Sequence, residues 1–158
     1  MLQAGQSAPD FELPDAEMDM VSLSGFKNRK NVVLYFYPKD DTPGCTIEAI
    51  DFSDKQDEFT SRGTVVLGVS MDDCMSHGSF RDKHGLSVQL LADVDAEACN
   101  NYGVLHEKEY DGKKKTCIQR STFIIDKRGI LKHVLYGVRA RGHVAEVLEL
   151  IRSMEKCK

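Results

Sequence analysis

With 158 residues, 41% of them hydrophobic, the chain is long enough to bury a core without disulfide or metal staples. A formal charge of −4, with no basic run longer than Lys113-Lys114-Lys115, excludes a polyanion-coating nucleic-acid binder. No apolar run approaches the roughly 18 residues of a membrane span, and the stretch from Met1 to Gln6 lacks the charged-then-apolar order of a signal peptide, so one cytoplasmic domain over residues 1–158, with no membrane association, is expected.

Asp10 to Leu13 alternates apolar and polar, Pro14-Asp15 turns the chain, and Met20 to Leu23 alternates again, which predicts a small N-terminal β-hairpin over one sheet edge. Asn31 to Tyr37 is a nearly unbroken β-branched and aromatic run, the pattern of a strand buried on both faces and therefore central. Thr46 to Phe59 places Ile47, Ile50 (or Ala49), Phe52 and Phe59 on one helical face. Gly63 ends that segment, and Thr64 to Ser70 is a second buried strand, completing a right-handed β-α-β unit. Met71 to His84 reads as a polar helix with Met75 and Phe80 as its apolar trace, closed by Gly85. Val88 to Ala92 is a short strand, and Asp95 to Tyr102 a short helix stopped by Gly103. Glu107 to Lys115 is expected to be a charged loop turning at Asp111-Gly112. Cys117 to Ile125 and Ile130 to Val138, split by Asp126-Lys127-Arg128-Gly129, predict an antiparallel hairpin. Val144, Val147, Leu148 and Ile151 mark an amphipathic C-terminal helix, with Cys157 in the tail beyond it. This order implies an α/β fold, a central mixed sheet flanked by helices.

The five cysteines, Cys45, Cys74, Cys99, Cys117 and Cys157, are odd in number and irregularly spaced, with no C-x-x-C pair, so they are not a disulfide framework. In a reducing compartment most cysteines serve as small core hydrophobes. Cys45 stands apart. It falls in the first turn of the helix after the central strand, beyond the carboxyl end where α/β sheets gather their ligands. Unpaired N–H groups and the helix dipole there favour a thiolate. Pro43 is pre-set for the start of a helix, Gly44 admits a close ligand, Thr42 offers a hydroxyl that donates and accepts, and Pro38 is apolar without an N–H, which together suggest a small, partly dry pocket. The histidines, His77, His84, His106, His133 and His143, lack metal-ligand spacing and are expected at the surface or at helix ends, so neither a metal nor another cofactor is expected.

Pro38-x-x-x-Thr42-x-x-Cys45 resembles the active-site signature of the peroxiredoxins, thiol peroxidases built on a thioredoxin-like fold. The wider run from Tyr35 to Glu48, the opening Ala8-Pro9-Asp10-Phe11-x-Leu13-Pro14-Asp15, and Arg120-x-Thr122-Phe123-x-Ile125-Asp126 resemble the bacterioferritin-comigratory, or peroxiredoxin Q, group within them. The resemblance implies that Cys45 attacks hydrogen peroxide or an organic hydroperoxide and becomes a sulfenic acid. It further implies that Thr42 holds the peroxide in line, that Arg120 stabilises the thiolate and the developing charge, and that Pro38 shields the pocket. Glu48 would orient Arg120, or else be a solvated helix-start acid. The reductant implied is thioredoxin or a similar thiol donor.

Two departures stand out. Many members of the group carry a resolving cysteine five residues after the attacking one, where this chain has Ile50, and a second known placement, in the next helix, falls near Arg81. Cys74, just past the strand that ends at Ser70, is the first candidate to replace it, and a one-cysteine cycle with an external thiol is the alternative. Met18 stands where relatives have glycine, a change expected to alter only the hairpin. A redox sensor or chaperone-like module signalling through Cys45 oxidation is the reading from a different class; a cysteine hydrolase would need a histidine beside Cys45. No long exposed apolar stripe advertises an interface, so a monomer is expected.

Overall fold

The computed structural model describes residues 2–156; Cys157 lies outside them. β1 (Glu12–Pro14) and β2 (Met20–Ser22) form the N-terminal hairpin. β3 (Asn31–Phe36) leads into α1 (Pro43–Asp54) and α2 (Gln56–Ser61), β4 (Thr64–Ser70) into α3 (Cys74–His84), and β5 (Gln89–Ala92) into α4 (Glu97–Asn101). β6 (Leu105–Tyr110), β7 (Lys113–Ile118), β8 (Ser121–Ile125), β9 (Leu131–Tyr136) and α5 (His143–Lys156) follow. The main sheet runs β5-β4-β3-β8-β9, with β3, β4 and β5 parallel and β8 antiparallel to both its neighbours. This is the expected mixed sheet of a thioredoxin-like α/β fold, and the Asp15–Leu91 bridge lays the N-terminal hairpin along its β5 edge.

β3 is central, as its unbroken apolar run requires. Leu34 and Phe36 point into a core shared with the N-terminal hairpin, Tyr102 and Phe123, while Val33, Tyr35 and Tyr37 point into a second core filled by α1, α3 and α5. A strand with helices or hairpins on both faces has no polar side, hence no alternation. Val144, Val147, Leu148 and Ile151 of α5 are all buried in the second core, as their spacing predicts.

Several expectations need correction. The helix expected over 46–59 begins earlier, at Pro43, and breaks at Lys55. Its inward stripe is Cys45, Glu48, Ala49 and Phe52 rather than Ile47 and Ile50, which draws Cys45 into the core. Met75 is 77% exposed, whereas His77, on the Phe80 face of α3, is fully buried. Residues three apart share a helical face and residues five apart do not, so Phe80 facing inward brings His77 with it and turns Met75 out. His143, expected at a helix end, is at one but buried there, its Nε2 2.7 Å from Thr122 Oγ1, and burial lowers its pKa. The charged segment 107–115 is not a loop but most of the β6–β7 hairpin, turned by Asp111 (φ 48°) and Gly112 (φ 76°), with Lys108 opposite Lys115 and Glu109 opposite Lys114. The expected strand 117–125 is broken at Gln119-Arg120: Cys117 and Ile118 belong to β7, and only Ser121 onwards joins the main sheet.

Gly68 of β4 lies opposite Tyr35, and a Cβ placed on it would meet the Tyr35 ring at 2.6 Å. That ring is fully buried and stacked 4.5 Å from Phe52, so it has nowhere to retreat. Gly68→Ala is expected to destabilise by about 1–3 kcal/mol, the cost of overpacking a dense core. Urea unfolding measures it, and an unchanged midpoint would show that the Tyr35–Phe52 stack yields.

Candidate active site

Cys45 reaches its position because β3 ends at the sheet's carboxyl edge and the chain turns at once into α1. Thr42 is the N-cap and Pro43 the first helical residue, where a missing N–H costs nothing. Thr42 does not use its hydroxyl to cap: Oγ1 donates to the Lys39 carbonyl at 3.0 Å, and the Thr42 carbonyl accepts from Thr46 N–H (2.9 Å) and Oγ1 (2.7 Å). No side chain caps α1, which leaves first-turn N–H groups for a ligand carrying partial negative charge. Pro38 is exposed on the same loop, so any shielding it gives comes from the rim.

Arg120 arrives from far along the chain because β8 runs antiparallel to β3. Ser121 pairs with Phe36, so the residue before Ser121 lies at the end of β3, beside α1. Arg120 is not on a strand, as expected from sequence, but in the break between β7 and β8; its carbonyl accepts the Val138 N–H at 2.9 Å. Its Nη2 donates to Cys45 Sγ at 3.3 Å and its Nη1 to Glu48 Oε1 at 2.7 Å. Gly44 makes room for this approach, since a Cβ there would stand 3.1 Å from Nη2. Desolvation lowers the Arg120 pKa, but Glu48 and Cys45 hold it above its ordinary value.

Glu48 is fully buried, which overturns the solvated-acid reading and leaves the contact with Arg120. Burial outweighs the guanidinium and pushes its carboxyl up to about 7. Between the ordinary carboxylate range and about 7 the folded protein keeps a proton that the unfolded chain releases. Stability therefore falls as pH rises through that window, by roughly 3 kcal/mol in all, and levels off above it. Glu48→Gln, neutral at every pH, is expected to lack this slope. Unfolding free energies of the two proteins from pH 5 to pH 8 check it, and parallel curves would refute the buried-acid assignment.

The other cysteines have different surroundings. Cys74 opens α3, half-buried, where burial and the acids Asp15 and Asp73 raise its pKa. Cys99 is fully buried, its thiol pushed well up by burial and Asp93. Cys117 is half-buried on β7. All four described cysteines are free thiols, and only Cys45 has a hydrogen-bonded cation. Sequence reasoning missed Asp40 and His77, which are buried beneath the loop before α1. The signal was present, since His77 precedes Phe80 by one helical turn. Among the described residues no group of three or more His, Cys, Asp or Glu side chains could hold a metal.

Comparison with known proteins agrees with this arrangement. A model of the AhpC/TSA family matches residues 4–134. A putative peroxiredoxin Bcp of Coxiella burnetii is 48% identical over 147 residues, covering 93% of this chain and 97% of its own. Peroxiredoxin Bcp of Bacillus subtilis is 43% identical over 155 residues, covering 98% of each. Among solved structures, the bacterioferritin comigratory protein of Xanthomonas campestris, studied for alkyl peroxide reduction, superposes with a TM-score of 0.89 at 33% identity, over 96% of this chain and 99% of that one.

Proposed function

The chain belongs to the AhpC/TSA family and is a thiol peroxidase of the peroxiredoxin kind, and from that premise we propose that Cys45 is the thiol that attacks the peroxide, with Arg120, Glu48, Thr42 and Pro38 completing its pocket. The observation that carries the assignment is the Arg120 guanidinium bridging Cys45 Sγ and the buried Glu48 carboxyl. A cation in hydrogen-bond contact stabilises sulfur as thiolate.

The thiolate forms an S–O bond to one peroxide oxygen as the O–O bond breaks. The bonding pair leaves with the second oxygen, which takes a proton and departs as water or alcohol, and Cys45 is left as sulfenic acid. Arg120, sharing one guanidinium between sulfur and Glu48, faces the charge that grows on the oxygens, and the uncapped N–H groups of α1 add partial positive charge. Thr42 holds the peroxide from the N-cap, and Pro38 covers the rim. Hydrogen peroxide and organic hydroperoxides are the substrates of this reading, supported by the Xanthomonas relative's alkyl peroxide reduction.

For the reset, Cys74 attacks the sulfenic sulfur, forming a disulfide and releasing water, and thioredoxin or a similar dithiol reduces the disulfide. The position of Cys74 at the sheet's carboxyl edge, immediately after β4 and next to β3, supports this route. Work as a monomer is supported by the few large apolar side chains exposed among the described residues, Met18, Met20, Met75 and Val94.

Peptide mapping after one equivalent of hydrogen peroxide tests the assignment. Oxidation is expected first at Cys45, ahead of Cys74, Cys99 and Cys117; oxidation beginning at any other cysteine would overturn it. A Cys45–Cys74 bridge in the non-reducing map supports the two-cysteine cycle, and sulfenic or sulfinic Cys45 alone the one-cysteine cycle.

A further inference from the structure

Beneath the loop that leads into α1 lies a dry polar cluster to which the peroxide chemistry assigns no task. Asp40, 8% exposed, accepts at Oδ1 from Tyr37 Oη (2.6 Å), and at Oδ2 it meets Ser76 Oγ (2.8 Å) and His77 Nδ1 (2.7 Å). His77 is fully buried, and its Nε2 faces the Leu91 carbonyl at 2.9 Å. A carbonyl can only accept, so Nε2 carries a hydrogen. Nδ1 faces the Asp40 carboxyl oxygen and, at 3.3 Å, Tyr37 Oη, so His77 is hydrogen-bonded at both ring nitrogens out of reach of solvent.

The cluster joins two cysteine-bearing turns. Asp40 precedes Thr42 and Cys45 on the loop, while Ser76 and His77 belong to the turn of α3 that opens with Cys74. The Asp40 N–H is tied as well, donating to Asp72 Oδ2 at 2.8 Å. Its neighbour Asp41 is gripped by Lys83 Nζ (2.6 Å) and His84 Nε2 (2.8 Å) near the far end of α3. That outer grip is exposed and correspondingly weak. The inner one, at Asp40, fixes the loop onto α3.

Cys45 is 2% exposed, so a sulfur oxidised there meets a second thiol, in this chain or another, only if the first turn of α1 opens. Opening that propagates back through Thr42 runs into Asp40. We propose that His77, acting through Asp40, is a positioning residue that sets how readily the Cys45 turn opens after oxidation. Latched, the loop holds Cys45 against Arg120 for attack; released, it delivers the sulfenic acid to its reducing thiol. This inference rests on Cys45 being the attacking thiol but does not require Cys74 to be its partner.

The test compares wild type, His77→Gln and the milder Ser76→Ala. The peroxide-attack rate is measured by stopped flow. Trapping of Cys45 sulfenic acid by dimedone is followed in a Cys74→Ser background, and Cys45–Cys74 bridging is followed with Cys74 present. His77→Gln is expected to be trapped about tenfold faster, the scale set by losing one buried hydrogen bond, while peroxide attack slows. Ser76→Ala should move both rates the same way by smaller factors. A residue with a merely structural role would lower the melting temperature and leave the ratio of trapping to attack unchanged, and that result overturns the proposal. Should His77→Gln fail to fold, Ser76→Ala decides on the same ratio. Equal bridging and equal trapping in all three proteins removes the latch but leaves the Cys74 route standing. Faster trapping with no bridge in any of them supports the latch and removes Cys74. No oxidation at Cys45 overturns both the latch and the assignment of the attacking thiol.

Discussion

A Cys45→Ser protein is expected to consume hydrogen peroxide no faster than buffer does, while remaining folded. The hydroxyl that replaces the thiol is nearly isosteric but is not ionised at neutral pH, so the guanidinium 3.3 Å away has no anion to hold and the peroxide meets no nucleophile. None of the other described cysteines has a hydrogen-bonded cation. Cys74 looks toward Asp15 and Asp73, and Cys99 lies buried against Asp93, and in each case these surroundings raise the thiol's pKa and oppose the thiolate. Peroxide consumption with a dithiol donor measures the effect. Turnover surviving in Cys45→Ser would move the active site elsewhere in the chain.

Arg120→Met should lower kcat/KM for peroxide by about 10²–10³-fold, the usual cost of losing one aimed donor at the site of developing charge. Methionine retains much of the aliphatic stem, so packing is little changed. The substitution has a second consequence that separates catalysis from stability. It leaves Glu48 buried without its cation, and stranding one half of a buried pair costs about 3–5 kcal/mol unless the acid takes up a proton. Arg120→Met is therefore expected to be unstable at pH 8 and less so at pH 6, and adding Glu48→Gln should restore stability without restoring activity. Stopped-flow oxidation and urea unfolding on the single and double variants read the two effects independently. A loss of activity smaller than tenfold in the single variant would remove Arg120 from the chemistry.

The site was legible in sequence to the extent that its parts are local. Cys45 read as lying in the first turn of a helix after a buried strand, because strand periodicity and a helix-start proline are properties of neighbouring residues, and it does lie there, although the helix starts three residues earlier than its apolar spacing indicates. Glu48 was ambiguous for a physical reason: three residues past Cys45 it could face solvent or core, and only the inward turn of the Cys45–Ala49–Phe52 stripe decides for the core. Arg120 was found through a resemblance, not through periodicity. The chain break that aims it lies inside what reads as one continuous hairpin strand, and it exists because β7 pairs with β6 while β8 pairs with β3. The β6–β7 hairpin was hidden because its strands carry charged side chains on both faces, which erases the alternation by which strands are recognised. His77 was lost to the general habit of histidines to sit at surfaces. Its burial depends on Asp40 and on the Leu91 carbonyl, partners that no local pattern connects.

The antiparallel entry of β8 beside β3 also bears on the order in which the protein is made. Synthesis proceeds from the N-terminus, so Cys45 emerges well before Arg120, whose guanidinium donates to its sulfur in the folded protein. At about 5–20 residues per second the delay is roughly 4–15 s. Through that interval β3 lacks its β8 neighbour and α1 has no cation at its first turn. The contact between the Arg120 guanidinium and the Cys45 sulfur is therefore made only once β8 has docked beside β3.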